Sequence, residues 1–161
     1  LVNLMPLPCR GFPLRSLPLE VNCSKGIQFF LVGLPDVAVR ESHERIISAL
    51  QVCGYKFPRN RIVINMAPAD IRKEGLYDLP LAIGILAAAE QIDSSNLSKF
   101  VLMGELSMDG SLQPIKGALP IAIKAREEGF KGFILPQAKR LMGCGGERSG
   151  SVWSFEYQRG A

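Results

Sequence analysis

The chain has 161 residues, is 47% hydrophobic and 21% charged, and carries a formal net charge of +4. That length and balance fit one globular domain with ragged ends and exclude a chain too polar to bury a core. The longest apolar run, Leu79 to Ala89, is too short for a bilayer and is interrupted by Pro80 and Gly84, so no membrane partner is expected.

No basic stretch leads into an apolar segment near residue 1, and the expectation is a soluble cytoplasmic protein. The positive charge is not spread along the chain. Residues 19–136 hold 13 Lys and Arg against 13 Asp and Glu, so the whole excess lies in the two end segments. A basic balance placed this way is weak support for nucleic acid as a partner. The cysteines, Cys9, Cys23, Cys53 and Cys144, form no CxxC and no metal spacing, and read as packed thiols.

In chain order, residues 1–18 carry Pro6, Pro8, Pro13 and Pro18, which oppose both helix and central-strand pairing. Val21 to Val32 alternates imperfectly into the apolar run IQFFLV and predicts one buried strand. Pro35-Asp36 opens a helix whose seam is Val39, His43, Ile46, Leu50 and Cys53, with Gly54 as its stop. Arg40, Glu41, Glu44 and Arg45 fall on its outward face, alternating in sign. Arg61 to Met66 predicts a strand, and Leu79 to Gln91 a helix apolar enough to be central.

Phe100 to Leu106 predicts a strand that turns at Met108-Asp109-Gly110-Ser111 into Leu112 to Ile115, forming a hairpin. Leu119 to Glu128 is amphipathic and stops at Gly129, and Gly132 to Leu135 predicts a last short strand. Residues 137–161 lose all period. Met103, Met108, Phe29, Phe30 and Phe133 are assigned to the core. The mixture of helices and hairpin strands predicts an α+β domain over residues 19–136, with atypical segments at 1–18 and 137–161.

The stretches VNCSKGIQFFLVGLPDVAVRESHERIISAL, GYKFPRNRIVINMAPADIRKEG, YDLPLAIGILA and GELSMDGSLQPIKG resemble the amino-terminal domain of the magnesium-chelatase-like AAA+ ATPases of the ComM and YifB type. The resemblance covers Glu20 to Ala138. It implies a fold like the Lon protease domain and the second domain of a small-subunit ribosomal protein, with a mixed sheet and packed helices. It further implies a place before an ATPase module in a hexameric motor linked to DNA branch migration in natural transformation.

The chain departs from that family after Pro136. It holds no GxxxxGKS or GxxxxGKT, and Gly143 to Gly150 (GCGGERSG) lacks the phosphate-neutralising Lys and the magnesium-ligating hydroxyl. ATP and magnesium are therefore expected in the ATPase module and no cofactor in this chain. Codons for Leu4 to Pro18 can give YAIAVQGVSASITAI in another frame, and those for Gly143 to Gly160 can give AAVVNDLEVYGVSNIKEV. Both peptides are family-like, so the end segments are read as out-of-frame translation, which the coding DNA tests.

Against the Lon-type pattern DGPSAG this chain aligns Asp78-Leu79-Pro80-Leu81-Ala82-Ile83, and against PIGGLKEK it aligns Pro114 to Leu119. Leu81 and Leu119 stand where the resemblance implies a serine nucleophile and a lysine base. Neither can attack a carbonyl or accept a proton, so the expectation is a non-catalytic accessory domain that helps assemble the motor. The alternatives are a degenerate Ser-Lys peptidase using Ser111 or Lys116 off-pattern, and a stand-alone nucleic-acid-binding module.

Lys56, Arg59, Arg61, Arg72 and Lys73 form the best basic constellation for phosphate contact, with Asp70, Glu74 and Asp78 as neutralising neighbours. A subunit or ATPase-module contact suits the same residues. His43 lies on the apolar seam with no second ligand at metal spacing and reads as packed. Glu105 and Asp109 flank the hairpin and read as turn chemistry and surface charge.

Overall fold

A computed structural model of the chain describes residues 2–4, 19–33, 36–66, 75–113, 123 and 125–134. The elements are β1 (Val2–Leu4), β2 (Leu19–Ser24), β3 (Phe29–Val32), α1 (Asp36–Val52), β4 (Arg61–Met66), α2 (Asp78–Ala88), β5 (Phe100–Leu102), β6 (Glu105–Leu106), β7 (Leu112–Gln113) and β8 (Gly132–Ile134). Short 3-10 turns at Gly75–Tyr77 and Leu97–Lys99 precede α2 and β5. The domain is mixed α+β, as its sequence pattern predicts.

β4 organises the main sheet, whose order is β1-β2-β4-β3. β2 runs antiparallel to β4 in the register Leu19↔Met66 to Ser24↔Arg61, and β3 runs parallel to it from Phe29↔Ile62 to Val32↔Asn65. Period-2 alternation sends Leu19, Val21, Leu31, Ile62, Ile64 and Met66 to one face, where all are buried. The single strand expected over Val21 to Val32 is thus two. The chain bends at residues 25–28, and β4 lies between the halves. Val2–Leu4, ahead of the first proline, pairs with β2 as an edge strand.

The helix α1 is free of Gly and Pro over its 17 residues. Its apolar spacing buries Ile46, Ala49 and Leu50 completely, with Val39 and His43 half-buried beside them. It ends where expected. Gly54 takes φ +82°, its N–H donates to the Gln51 carbonyl at 3.1 Å, and the Tyr55 N–H donates to Leu50 at 2.9 Å. That pair of bonds satisfies two of the carbonyls a helix leaves open, and it requires the left-handed backbone that glycine adopts without strain. Pro35 lies outside the described residues.

The helix α2 is buried from Asp78 to Ala87, so it fills the centre of the fold. Pro80 sits in its first turn, where a missing N–H removes no intrahelical bond. The Leu79 N–H of the same turn donates to the Gly104 carbonyl at 2.9 Å, and the Gly104 N–H donates to the Leu76 carbonyl at 2.9 Å. This crossing breaks the strand expected over Phe100 to Leu106 into β5 and β6, because the backbone at Gly104 is bonded to α2's entry instead of to a sheet. A Cβ at Gly104 would stand 2.9 Å from Leu112 Cδ2 and 3.2 Å from Leu79 Cδ2, so close approach demands glycine there.

β5 pairs in parallel with β8, and β6 pairs with β7 in the expected hairpin. The amphipathic segment is helical at residues 123 and 125–127, and the Phe130 N–H returns to the Ala125 carbonyl at 3.0 Å. Two core assignments are corrected. Phe30 is 44% exposed on the sheet's outer face, and Met108 is exposed at the hairpin tip. Phe29 and Met103 pack as expected, and the side chain of Phe133 lies outside the described residues. No helix of the described residues is long and apolar enough to cross a membrane.

Candidate functional site

Where α2 begins, three parts of the fold converge on one carboxylate. Asp78 is 1% exposed, and its Oδ1 accepts the Ser42 hydroxyl at 2.7 Å and Arg45 Nη2 at 3.2 Å. Its Oδ2 accepts Arg45 Nε at 2.7 Å and the Leu106 N–H at 3.4 Å. The guanidinium therefore grips the carboxylate as a fork, the geometry that makes such pairs strong and directional. The bond to Asp78 raises the Arg45 pKa above its ordinary value, with burial opposing it, so the cation is permanent. Asp78 also lies in the first turn of α2, where the helix dipole favours an anion.

Two readings of the sequence are corrected here. Asp78 is no solvated counter-charge to the basic constellation, because Arg45 and Ser42 occupy it. Arg45 does not face outward with Arg40, Glu41 and Glu44; it turns inward to the carboxylate, with Glu41 only at 4.0 Å on its outer side.

One turn along the same helix, Leu81 is 1% exposed within the main apolar cluster. Burying such a side chain stabilises the fold by about 1.5–3 kcal/mol. Leu119, the other position of interest, lies outside the described residues, as does Lys116. Ser111 is placed in the hairpin turn, where its hydroxyl donates to Asp109 Oδ1 at 2.7 Å and its N–H donates to the same oxygen at 2.9 Å. Asp109 thus shapes a turn, as an Asx residue does. Glu105 is exposed on β6.

Lys56, Arg59 and Arg61 are all exposed on the approach to β4. Gln91, just past α2, holds the Lys56 peptide from both sides, accepting its N–H at 3.2 Å and donating to its carbonyl at 2.7 Å. The Arg61 guanidinium lies over the Phe30 ring, 5.5 Å from its centroid. Arg72 and Lys73 lie outside the described residues.

His43 is packed, stacked on Phe29 with centroids 4.3 Å apart and edge-on to Phe57 at 5.3 Å. Burial lowers its pKa, with Glu44 pulling the other way. Among the described residues no cluster of His, Cys, Asp or Glu could hold a metal ion.

The fold and this junction define a mixed α+β domain whose central helix is pinned by a buried carboxylate–guanidinium fork. Residues 19–139 match the family described as subunit ChlI of Mg-chelatase, and the chain belongs to that family. It is 44% identical over 123 residues to the uncharacterised protein YifB of Escherichia coli, an overlap covering 75% of this chain and 24% of that protein. It is 45% identical over 119 residues to the competence protein ComM of Haemophilus influenzae, covering 73% and 23%. An uncharacterised protein of Mycobacterium tuberculosis is 34% identical over 129 residues, covering 79% and 26%. The chain spans about a quarter of the length of these relatives.

Proposed function

We propose that this chain is a non-catalytic accessory domain of a Mg-chelatase-like AAA+ ATPase, with a Lon-like fold, whose work is assembly. The observation that carries this reading is Leu81. By the resemblance it stands where a Ser-Lys hydrolase would place its nucleophile, and it lies in the core, 1% exposed. Just before it, the Asp78 carboxylate is bonded to Arg45 and Ser42, which ties α1 to α2. The partners under this reading are the ATPase module, which supplies ATP and magnesium chemistry, and further copies in a hexameric ring. The likeness to a competence protein supports a role in competence, and DNA branch migration is the process proposed for it.

A serine-reactive fluorophosphonate tests the chemistry: the expected result is no adduct, and a stoichiometric adduct on Ser111 would establish the peptidase alternative. Co-elution with the ATPase portion of a full-length relative tests assembly, and failure to associate in the presence of nucleotide removes it. A second reading, nucleic-acid contact, is favoured by the exposure of Lys56, Arg59 and Arg61. It predicts salt-dependent binding of branched or single-stranded DNA that weakens in Arg59→Ala and Arg72→Ala.

A further inference from the structure

The main sheet ends at β3, and among the described residues no strand lies beyond it. The Ile62 N–H donates to the Gln28 carbonyl at 2.7 Å, which fixes the phase of the parallel ladder. In that phase Gln28, Phe30 and Val32 turn their peptide groups to β4, and Phe29 and Leu31 turn theirs to the open side. The segment Gly26 to Leu34 carries no charge. Proteins usually guard such an edge with lysine, proline or a bulge, and β3 contains none of these three. Its outward side chains, Phe30 at 44% and Val32 at 56% exposure, add an apolar surface beside the open amides.

We propose that β3 is a contact between two copies of this chain, paired edge to edge and antiparallel about a two-fold axis at Phe30. The strand is suited to its own copy for three reasons. An uncharged strand meets itself without like-charge repulsion. The open peptide groups of Phe29 face those of Leu31 in the second copy, each such pair exchanging both N–H···O bonds. Phe30 then falls on Phe30 of the second copy as a non-hydrogen-bonded pair, the closest side-chain approach in an antiparallel ladder, where aromatic pairs are favourable. Arg61 already lies over the ring from within its own chain, and Phe30 is still 44% exposed. This contact is separate from the ring assembly above, since it needs neither nucleotide nor the ATPase module.

Sedimentation equilibrium of the 161-residue chain without nucleotide is the test. The expected result is a mass that doubles as concentration rises through the micromolar range, and a mass that stays monomeric throughout overturns the proposal. Phe30→Lys and Val32→Lys place charge on exposed positions and should each abolish the doubling with an unchanged circular dichroism spectrum. Doubling that survives both substitutions overturns it. Phe30→Cys tests the register independently: mild oxidation should give a dimer whose crosslink, mapped by mass spectrometry, joins the two copies at position 30. A covalent dimer linked only through other cysteines, or no crosslink in a dimeric sample, rules out this axis.

Discussion

Arg45 and Asp78 stand 33 residues apart in the chain, yet Nε of one lies 2.7 Å from Oδ2 of the other. One is on the middle of α1 and the other on the first turn of α2, so a single fork fixes the two helices in place. Removing one partner of a buried pair leaves the other without compensation. Asp78→Ala is expected to destabilise the domain by about 3–5 kcal/mol, read as a lower urea midpoint. Arg45→Met should approach that loss, and the double variant should lose less than the sum, since the two share one interaction.

Leu81→Ser combined with Leu119→Lys restores the residue types of a Ser-Lys pair. The serine leaves a void in the core and an unpaired hydroxyl, together costing about 3–5 kcal/mol. The expected outcome is a lower thermal midpoint with no fluorophosphonate adduct. An adduct at position 81 would show that the site is accessible and activated.

The helix α2 ends with the same bonds as α1, Gln91 N–H to the Leu86 carbonyl and Glu90 N–H to Ala87, but Glu90 takes the left-handed position at φ +56°. A side chain there costs about 1–2 kcal/mol, partly offset by the entropy glycine loses on folding. Glu90→Gly should therefore stabilise the domain by about 0.5–1 kcal/mol in urea unfolding, while Gly54→Ala should cost about 1 kcal/mol.

His43 gives the domain an acid dependence. Its pKa is lowered by burial, so the unfolded chain takes up this proton more readily than the folded one. The corresponding stability is present above the ordinary imidazole value of about 6.5 and is lost as pH falls toward the depressed folded value. The urea midpoint of the parent should drop more between about pH 7.5 and about pH 5.5 than that of His43→Gln. Equal drops would place the acid sensitivity elsewhere.

A Cβ at Gly104 would meet Leu112 and Leu79 at once. Gly104→Ala is expected to cost about 1–3 kcal/mol by forcing the β6–β7 hairpin away from the entry to α2. Amide exchange should then rise first at Leu79 and Gly104, whose N–H groups make the crossing bonds.

Local patterns were legible in the sequence. Strand β4 falls on Arg61–Met66 as its alternation predicts, and α1 begins at Asp36 and is closed by Gly54. What escaped was set by partners distant in the chain. The alternation through Val21 to Val32 continues across the bend at residues 25–28, so it carries no sign of the strand that will separate its halves. Asp78 and Arg45 look like surface charges because each has other charges nearby in sequence. Only the packing of α1 on α2 makes them partners. Phe30 shares its composition with the core, and its exposure follows from lying on the solvent side of a strand whose alternate residues Phe29 and Leu31 face inward.

The placement of β4 between β2 and β3 also bears on the growing chain. By the time Val32 leaves the ribosome, both flanking strands exist, but the strand that joins them is still to be made. Until Met66 emerges, neither β2 nor β3 has the β4 ladder that holds it in the finished sheet. Synthesis through residue 66 is thus the interval in which the two strands lack the one partner they share.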